Sequence, residues 1–157
     1  MIIIADTSAL IALSTCNALH LLEALFEKIA VPKLVYDECV IVNKSQSEKL
    51  LNFLCNRIEL VENTKILDLP SNLGQGEISA MLLYKKVNAN YLLIDDNRAR
   101  KIAKYNDINI VGSLGILLIA KHKKLIKKIT PFINMLEESE IYISKQLVHK
   151  IKKLAKE

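Results

Sequence analysis

Apolar and polar positions follow two alternating patterns along this chain. A short continuous apolar run, typical of a strand buried on both faces of a parallel sheet, occupies residues 2–5, and further predominantly apolar segments that resemble strands occupy residues 29–31, 58–61, 91–94 and 108–111. The segments between them repeat apolar residues every three or four positions, which predicts amphipathic helices. We expect helices over residues 7–13, 19–28, 45–55, 77–87, 99–105 and 112–121, another opening at Pro32, and later starts at Pro131 and Ser144. This alternation predicts an α/β domain whose parallel sheet is covered by helices on both faces.

The composition fits one soluble domain spanning residues 1–157. Hydrophobic residues make up 51% of the chain, and with only four Gly and three Pro no linker is visible. The three cysteines form no CxxC pair, so neither a disulfide framework nor a zinc site is expected. The apolar start lacks a basic leader and is interrupted by Asp6, which is atypical of a signal peptide or a membrane span. We therefore expect a cytoplasmic protein without a membrane partner.

Positive charge is concentrated near the end of the chain. The formal net charge is +5, and residues 121–157 carry ten lysines against four acidic residues. We expect a basic helical extension over about residues 125–157, packed on the domain. Such a segment can contact a polyanion, although a solvated surface is the commoner role of a charge run. With five Tyr, three Phe and no Trp, the chain lacks an evident aromatic platform for single strands, so any contact with a polyanion should be mainly electrostatic.

Acidic residues follow the predicted strands where parallel sheets collect functional groups. Asp6 ends the first strand, Asp95 and Asp96 end a later one, and Glu38 and Glu77 fall on predicted helices. Carboxylates crowded together repel one another unless a divalent cation neutralises them. Oxygen ligands select hard cations such as Mg²⁺, which can orient a phosphate and activate water. If the five acids converge, they predict phosphodiester cleavage.

Several of these acids also have an ordinary structural explanation. Asp6 could simply cap the helix that follows it, and one of Asp95 and Asp96 could cap the next helix along the chain. Glu38 could be a solvated helix residue, with the adjacent Asp37 as an alternative ligand. Both readings stay open at this point.

The segment Gly74-Gln75-Gly76-Glu77 can likewise have a structural or a functional role. It lacks the Lys-Ser/Thr end of a P-loop and the longer spacing of a dinucleotide fingerprint, so the glycines are expected to serve backbone turning. Glu77 could be a first-turn acid favoured by the helix dipole or a metal ligand.

Four segments in combination resemble the PIN-domain superfamily. They are Asp6-Thr7-Ser8-Ala9-Leu10-Ile11, the Val31-Pro32 helix start with Glu38, Gly74-Gln75-Gly76-Glu77, and Leu92-Leu93-Ile94-Asp95-Asp96 with Arg98-Ala99-Arg100. Over nearly the whole chain, the resemblance is to a prokaryotic branch related to VapC-type toxins with GxGE, LLxDDxxAR and GSLGIL-like segments. It implies a three-layer α/β/α fold with a central parallel sheet and a metal-dependent ribonuclease site.

The resemblance also implies roles for individual residues. The implied catalytic acids are Asp6, Glu38, Glu77 and Asp96, and the implied ligands of Mg²⁺ or Mn²⁺ are Asp6, Glu77, Asp95 and Asp96. Substrate contacts are expected from Thr7, Ser8, Arg98, Arg100 and Ser113. The Thr or Ser that many members carry near the end of the late strand is replaced by Ile94, which leaves the division of labour between Asp95 and Asp96 open.

The expected function is that of a Mg²⁺- or Mn²⁺-dependent endoribonuclease, the toxin of a toxin–antitoxin pair, cleaving RNA with metal-activated water. A homodimer and a small antitoxin protein are the further partners that the resemblance implies. The alternative is a PIN-like module, weak or inactive in catalysis, that binds RNA or protein. A phosphoacceptor domain is a third possibility, but it needs paired acids after its first strand, where Asp6 stands alone.

Overall fold

The computed structural model describes residues 1–41, 46–61 and 73–157, which form a sheet surrounded by helices. The strands are β1 (Ile2–Ala5), β2 (Lys28–Pro32), β3 (Ile58–Glu59), β4 (Tyr91–Leu93) and β5 (Ile110–Val111). The helices are α1 (Thr7–Thr15), α2 (His20–Leu25), α3 (Lys33–Cys39), α4 (Ser47–Leu54), α5 (Gln75–Lys86), α6 (Asn97–Tyr105), α7 (Ser113–His122), α8 (Thr130–Glu137) and α9 (Lys145–Ala155).

The five strands form one parallel sheet in the order β3-β2-β1-β4-β5. Strand β1 is central: Ile3 pairs with Ile29 of β2 on one side and with Tyr91 of β4 on the other. Ile3 and Ile4 are fully buried, as expected for a strand covered by helices on both faces. The predicted α/β fold with a central parallel sheet is confirmed.

Strand pairing corrects one predicted boundary. The helix expected over residues 19–28 ends at Leu25, because Lys28 already pairs with Ile2 in the sheet. The helix expected over residues 45–55 begins at Ser47, and residue 45 lies outside the described ranges. The predicted late starts are confirmed, since Pro131 lies in the first turn of α8 and the Ser144 hydroxyl caps α9.

The last three helices are connected through Glu157. Its carboxylate accepts hydrogen bonds from the backbone N–H groups of Ile129 (2.8 Å) and Thr130 (3.0 Å) at the start of α8. The same carboxylate lies 2.5 Å from the ammonium of Lys121 in α7, while α9 packs against α7. The basic end of the chain is therefore held against the rest of the domain. Among the described residues, no helix is both long and apolar enough to cross a bilayer.

Candidate functional site

The carboxyl ends of the central strands lie at one edge of the sheet, and acidic residues follow them. Asp6 comes directly after β1, and Asp95 and Asp96 come just after β4. Helix α3, which carries Glu38, begins immediately after β2. Glu77 lies in the first turn of α5, a helix that packs against β1, β2 and β4. The fold thus brings acids from four separate segments to the same edge.

Asp6 is the most buried of these acids, with 3% of its surface exposed. It caps α1, and its Oδ2 accepts hydrogen bonds from the Ser8 backbone N–H (3.4 Å) and hydroxyl (3.0 Å). Burial raises the pKa of Asp6 from 3.8 to about 6, although hydrogen bonds from Ser8 and Thr7 lower it, and the charge of Glu77 adds to the rise. An ionised carboxylate at this position is therefore costly unless a cation lies near it.

Glu77 links the acids electrostatically. Its carboxylate accepts a hydrogen bond from the Gly74 backbone N–H at 2.9 Å, which stabilises the start of α5. Burial raises the pKa of Glu77, the Gly74 bond lowers it, and the charges of Asp96 and Glu38 raise it again. Since Asp6 also feels the charge of Glu77, four carboxylates from four segments form one repulsive group. We call Asp6, Glu38, Glu77 and Asp96 the acid cluster.

Glu38 is held in place by two neighbours. The Thr7 hydroxyl donates a hydrogen bond of 2.6 Å to its Oε2. Beneath it lies Gly76, where an added Cβ would come within 2.7 Å of Glu38 Oε1. The adjacent Asp37 is exposed and forms an ion pair with Lys33 one turn away. The geometry thus favours Glu38 over Asp37 as the member of the site.

The expectation that Gly74 and Gly76 serve backbone turning needs a correction. All four glycines of the chain are described, and none has a positive φ. Gly76 instead provides space, since a side chain there would meet the carboxylate above it. In the sequence, the only sign of this role is that a Gly directly precedes Glu77 at the start of a helix. That pattern does not reveal that the space at Gly76 accommodates the side chain of Glu38.

Asp95 and Asp96 turn towards different helices. Asp95 Oδ1 accepts a hydrogen bond from the backbone N–H of Ser113 at 2.8 Å, at the start of α7. Asp96 Oδ1 accepts from the backbone N–H groups of Arg98 (3.0 Å) and Ala99 (2.8 Å), and caps α6. Of these two aspartates, Asp96 is the one whose charge raises the pKa of Glu77, to which burial makes the largest contribution. Asp96 is therefore the member of the pair that faces the acid cluster, and the buried Ser113 contacts Asp95.

The two arginines on α6 also differ in position. Arg98 is exposed, and its charge lowers the pKa of Glu77 against the effect of burial, which places it near the acid cluster. Arg100 is partly buried and donates a hydrogen bond of 2.7 Å from Nη1 to the carbonyl oxygen of Ile94. Arg98 is thus the better placed of the two to reach a phosphate at the cluster, because Arg100 is engaged with the backbone.

The donor set of the cluster fits a hard divalent cation in its chemistry. All its candidate ligands are carboxylate oxygens, which Mg²⁺ and Mn²⁺ prefer. Burial raises the pKa values of Asp6 and Glu77, and a cation would offset the repulsion from neighbouring carboxylates that adds to this rise. Across residues 1–41, 46–61 and 73–157, no three His, Cys, Asp or Glu side chains are already arranged to hold an ion together. In three of the carboxylates one oxygen accepts hydrogen bonds from a helix start: Oδ2 of Asp6, Oε2 of Glu77 and Oδ1 of Asp96.

The fold and the acid cluster define a class of α/β domains that gather carboxylates at the carboxyl edge of a parallel sheet. The PIN-domain family model matches residues 2–157, and the chain belongs to this family. PIN domains are generally nucleases, typically use divalent metal ions, and act on nucleic acid. None of the curated proteins compared with the chain matches it.

Proposed function

We propose that the chain is an endoribonuclease that requires Mg²⁺ or Mn²⁺ and hydrolyses RNA phosphodiester bonds at the acid cluster. The observation that carries this proposal is the approach of four carboxylates from four segments, in which Glu77 feels the charges of Asp96 and Glu38 and its own charge acts on the buried Asp6. The repulsion among these carboxylates destabilises the folded chain. A cation bound between them would replace it by attraction, and the same cation would attract a phosphate group.

The residues of the site divide into those that would hold the ion and those that orient them. Asp6 and Asp96 would be the principal ligands, with Glu77 and Glu38 ligating directly or through water, and Asp95 as a neighbouring acid. When bound, the ion would supply the positive charge that polarises the phosphate and lowers the pKa of the attacking water.

The remaining contacts prepare the site before substrate arrives. Ser8 holds the carboxylate of Asp6, and Thr7 holds that of Glu38, so both acids start from defined positions. Arg98 presents an exposed guanidinium beside the cluster, where it could bind a phosphate through two parallel hydrogen bonds. Ser113 and Arg100 would support this arrangement from behind Asp95.

The biological role we propose is that of a toxin controlled by a small antitoxin protein, in a cytoplasmic and homodimeric form. It is supported by the resemblance of the GxGE, LLxDDxxAR and GSLGIL-like segments to VapC-related proteins. Expression in a host cell is expected to arrest growth, and co-expression of a small reading frame adjacent to the gene should relieve the arrest. Growth unaffected by the wild-type chain would contradict the role.

The activity itself is tested by cleavage of end-labelled RNA in Mg²⁺ or Mn²⁺. Wild-type protein should cleave, chelation should stop the reaction, and Asp6→Asn should slow it by at least about 100-fold, beyond the loss typical of a group that only supports a ligand. Glu38→Gln should also lose activity, whereas the neighbouring Asp37→Asn, which changes an exposed ion pair, is the matched control. Cleavage that survives Asp6→Asn would refute the proposal.

A second candidate is a PIN-like module that binds RNA or protein with little or no catalysis. The observation in its favour is that Asp95 and Asp96 are both engaged by backbone N–H groups at helix starts. RNA binding without metal-dependent cleavage in the same assay would select this candidate.

A further inference from the structure

Three segments of the chain meet at the carboxylate of Glu157. It binds the ammonium of Lys121 near the end of α7 and the backbone N–H groups of Ile129 and Thr130 at the start of α8. The Lys121 ammonium also donates a hydrogen bond of 2.6 Å to the carbonyl oxygen of Ala155, the last residue of α9. Residues next to these contacts in the sequence therefore lie close together in space.

Lysines are concentrated around this junction. Residues 121–130 and 151–157 contain eight lysines and a single acidic residue, Glu157 itself. Lys121 is paired with that glutamate, and Lys152 is only partly exposed. The other six are all exposed and lie within three positions of a residue at the junction: Lys123, Lys124, Lys127, Lys128, Lys153 and Lys156. We call these six side chains the lysine surface.

The positive charge of the lysine surface is not balanced nearby. None of its ammonium groups forms an ion pair with an acidic side chain of residues 1–41, 46–61 or 73–157. The other acids of this region, Glu137, Glu138 and Glu140, lie at the end of α8, whereas the junction lies at its start. Like charges held this close repel one another, so a bound polyanion would relieve the repulsion.

The lysine surface lies far from the acid cluster. Helix α7 begins at Ser113, whose N–H is bonded to Asp95 beside the cluster, and ends at His122, next to the lysine surface. Its 10 residues extend about 15 Å. This length exceeds the Debye length of about 8 Å at physiological salt. The carboxylates of the cluster therefore do not cancel the attraction of the lysines for a negatively charged ligand.

A nucleic acid backbone is the polyanion that this arrangement fits. The chain belongs to a family that acts on nucleic acid, yet its four clustered carboxylates repel phosphate until a cation is bound. A basic surface elsewhere on the domain can supply the missing attraction. Successive phosphates lie about 3.4 Å apart along one strand of a duplex, so about five nucleotides span the distance between the two regions.

An anionic lipid surface carries the same kind of charge but fits less well. Residues 121–130 and 151–157 contain no Trp, Tyr or Phe, and Trp and Tyr are the residues that anchor proteins at a membrane interface. A membrane bound to the lysines would also leave the acids at the other end of α7 without a role.

We propose that the lysine surface binds the backbone of RNA away from the bond that is cut, and that it favours RNAs long enough to reach both regions. The inference rests on the proposed nuclease function and adds a second RNA contact about 15 Å from the acids. It also gives the polyanion contact expected from the sequence a definite place, at the junction of α7, α8 and α9.

The contact is tested first by binding in a chelator, where no RNA is cleaved. Affinity for a labelled unstructured RNA of about 24 nucleotides, several times the length that spans both regions, is measured by fluorescence anisotropy over a range of salt concentrations. The surface variant combines four substitutions: Lys123→Gln, Lys127→Gln, Lys128→Gln and Lys153→Gln. The matched control combines four on α5 and α6: Lys85→Gln, Lys86→Gln, Lys101→Gln and Lys104→Gln.

Both variants remove four positive charges, so an effect of overall charge is the same in both. Each lysine that neutralises a phosphate of a single strand contributes about 0.7 to the slope of log affinity against log salt. The surface variant should therefore lose up to about 3 from this slope and bind about ten-fold or more weakly at 0.1 M salt. The control should keep the slope of wild type.

Cleavage in Mg²⁺ gives the second measurement. An RNA of about 6 nucleotides, cut near its middle, is too short to reach from the acids to the lysines. Wild type should have a KM for the RNA of about 24 nucleotides at least about ten-fold below its KM for the short one. The surface variant should lose this difference and keep the kcat of wild type, because the acids are unchanged. The control should keep the difference.

Three results would overturn the proposal: no binding of RNA by wild type in the chelator, equal salt slopes in the surface variant and the control, or a preference for long RNA that survives in the surface variant. Binding of phosphatidylserine vesicles, but not of RNA, through the same four lysines would assign the surface to a membrane instead. Failure of the nuclease proposal looks different, because wild type would then bind RNA through the lysine surface without cleaving it in Mg²⁺.

Discussion

Replacing Asp6 by Asn should stabilise the metal-free protein at neutral pH while abolishing cleavage. Asn keeps an oxygen that can accept the Ser8 hydrogen bonds and remains a favourable helix cap, but it carries no charge. The Asp6 side chain is almost fully buried, and its pKa rises from 3.8 to about 6 on folding. That rise corresponds to about 3 kcal/mol of folding free energy lost at neutral pH. This is a large share of the ~5–15 kcal/mol that stabilises a typical domain.

The effect has a defined dependence on pH. Below pH 3.8 Asp6 is protonated in both the folded and the unfolded chain, so its burial costs nothing through ionisation. Between 3.8 and about 6 the folded chain retains a proton that the unfolded chain has released, and the free energy of unfolding therefore falls as pH rises. Above about 6 the full cost is present. The Asn variant lacks this dependence, so its advantage over wild type should grow across the window.

Urea denaturation followed by circular dichroism, in the presence of a chelator, measures this difference within and above the window. Mn²⁺ should then raise the unfolding free energy of wild type but not of Asp6→Asn, because only the native charged site binds it. The exposed Asp37→Asn variant is the control and should match wild type both in metal-free stability and in its stabilisation by Mn²⁺. Wild type that equals or exceeds Asp6→Asn in stability above the window would refute the reasoning.

Two further predictions concern the site and the end of the chain. Gly76→Ala should displace the Glu38 carboxylate and slow RNA cleavage about ten-fold or more, as should Thr7→Val. The unfolding free energy of Gly76→Ala should change by no more than about 1 kcal/mol in urea titrations, since Ala favours the helix over Gly. Full activity in both Gly76→Ala and Thr7→Val would contradict the role of the Glu38 carboxylate position in cleavage. Glu157→Gln should lower the unfolding free energy by about 1 kcal/mol at neutral pH. Burial raises the pKa of Glu157, but hydrogen bonds from its partners lower it to about 2. The difference in unfolding free energy between wild type and Glu157→Gln should therefore fade as pH falls from 4.5 towards 2. The exposed Glu140→Gln variant is the control and should equal wild type.

The sheet was largely predictable because its strands are encoded locally. Residues 2–5 and 91–94 are continuous apolar runs, and in the fold they are the central strands β1 and β4. The start of β2 at Lys28 was not predictable in the same way, since it depends on pairing with Ile2, 26 positions earlier in the sequence. Apolar spacing suggested a longer helix there, and sheet pairing overrode it.

The presence of acidic residues at one edge of the sheet was predictable, whereas their arrangement was not, and their roles in a site stay a prediction. The rule that functional groups collect at the carboxyl ends of parallel strands identified Asp6 and the Asp95-Asp96 pair from their positions alone. The hydrogen bonds of Asp95 to the start of α7 and of Asp96 to the start of α6 depend on the placement of these two helices, which no local pattern contains.

The connection through Glu157 bears on a cleft of about 600 Å³ that Asp95, Asp96 and residues of α9 line together. The 11 residues of α9 extend about 16 Å from Ser144 to the end that Glu157 connects to α7 and α8. Because α9 is held at both ends, the width of the cleft that it lines stays constant. The width of the cleft next to the acids therefore depends on the carboxylate of Glu157, which a ligand in the cleft does not contact. Breaking the hydrogen bonds of Glu157 should change which molecules enter the cleft while leaving the acids unchanged.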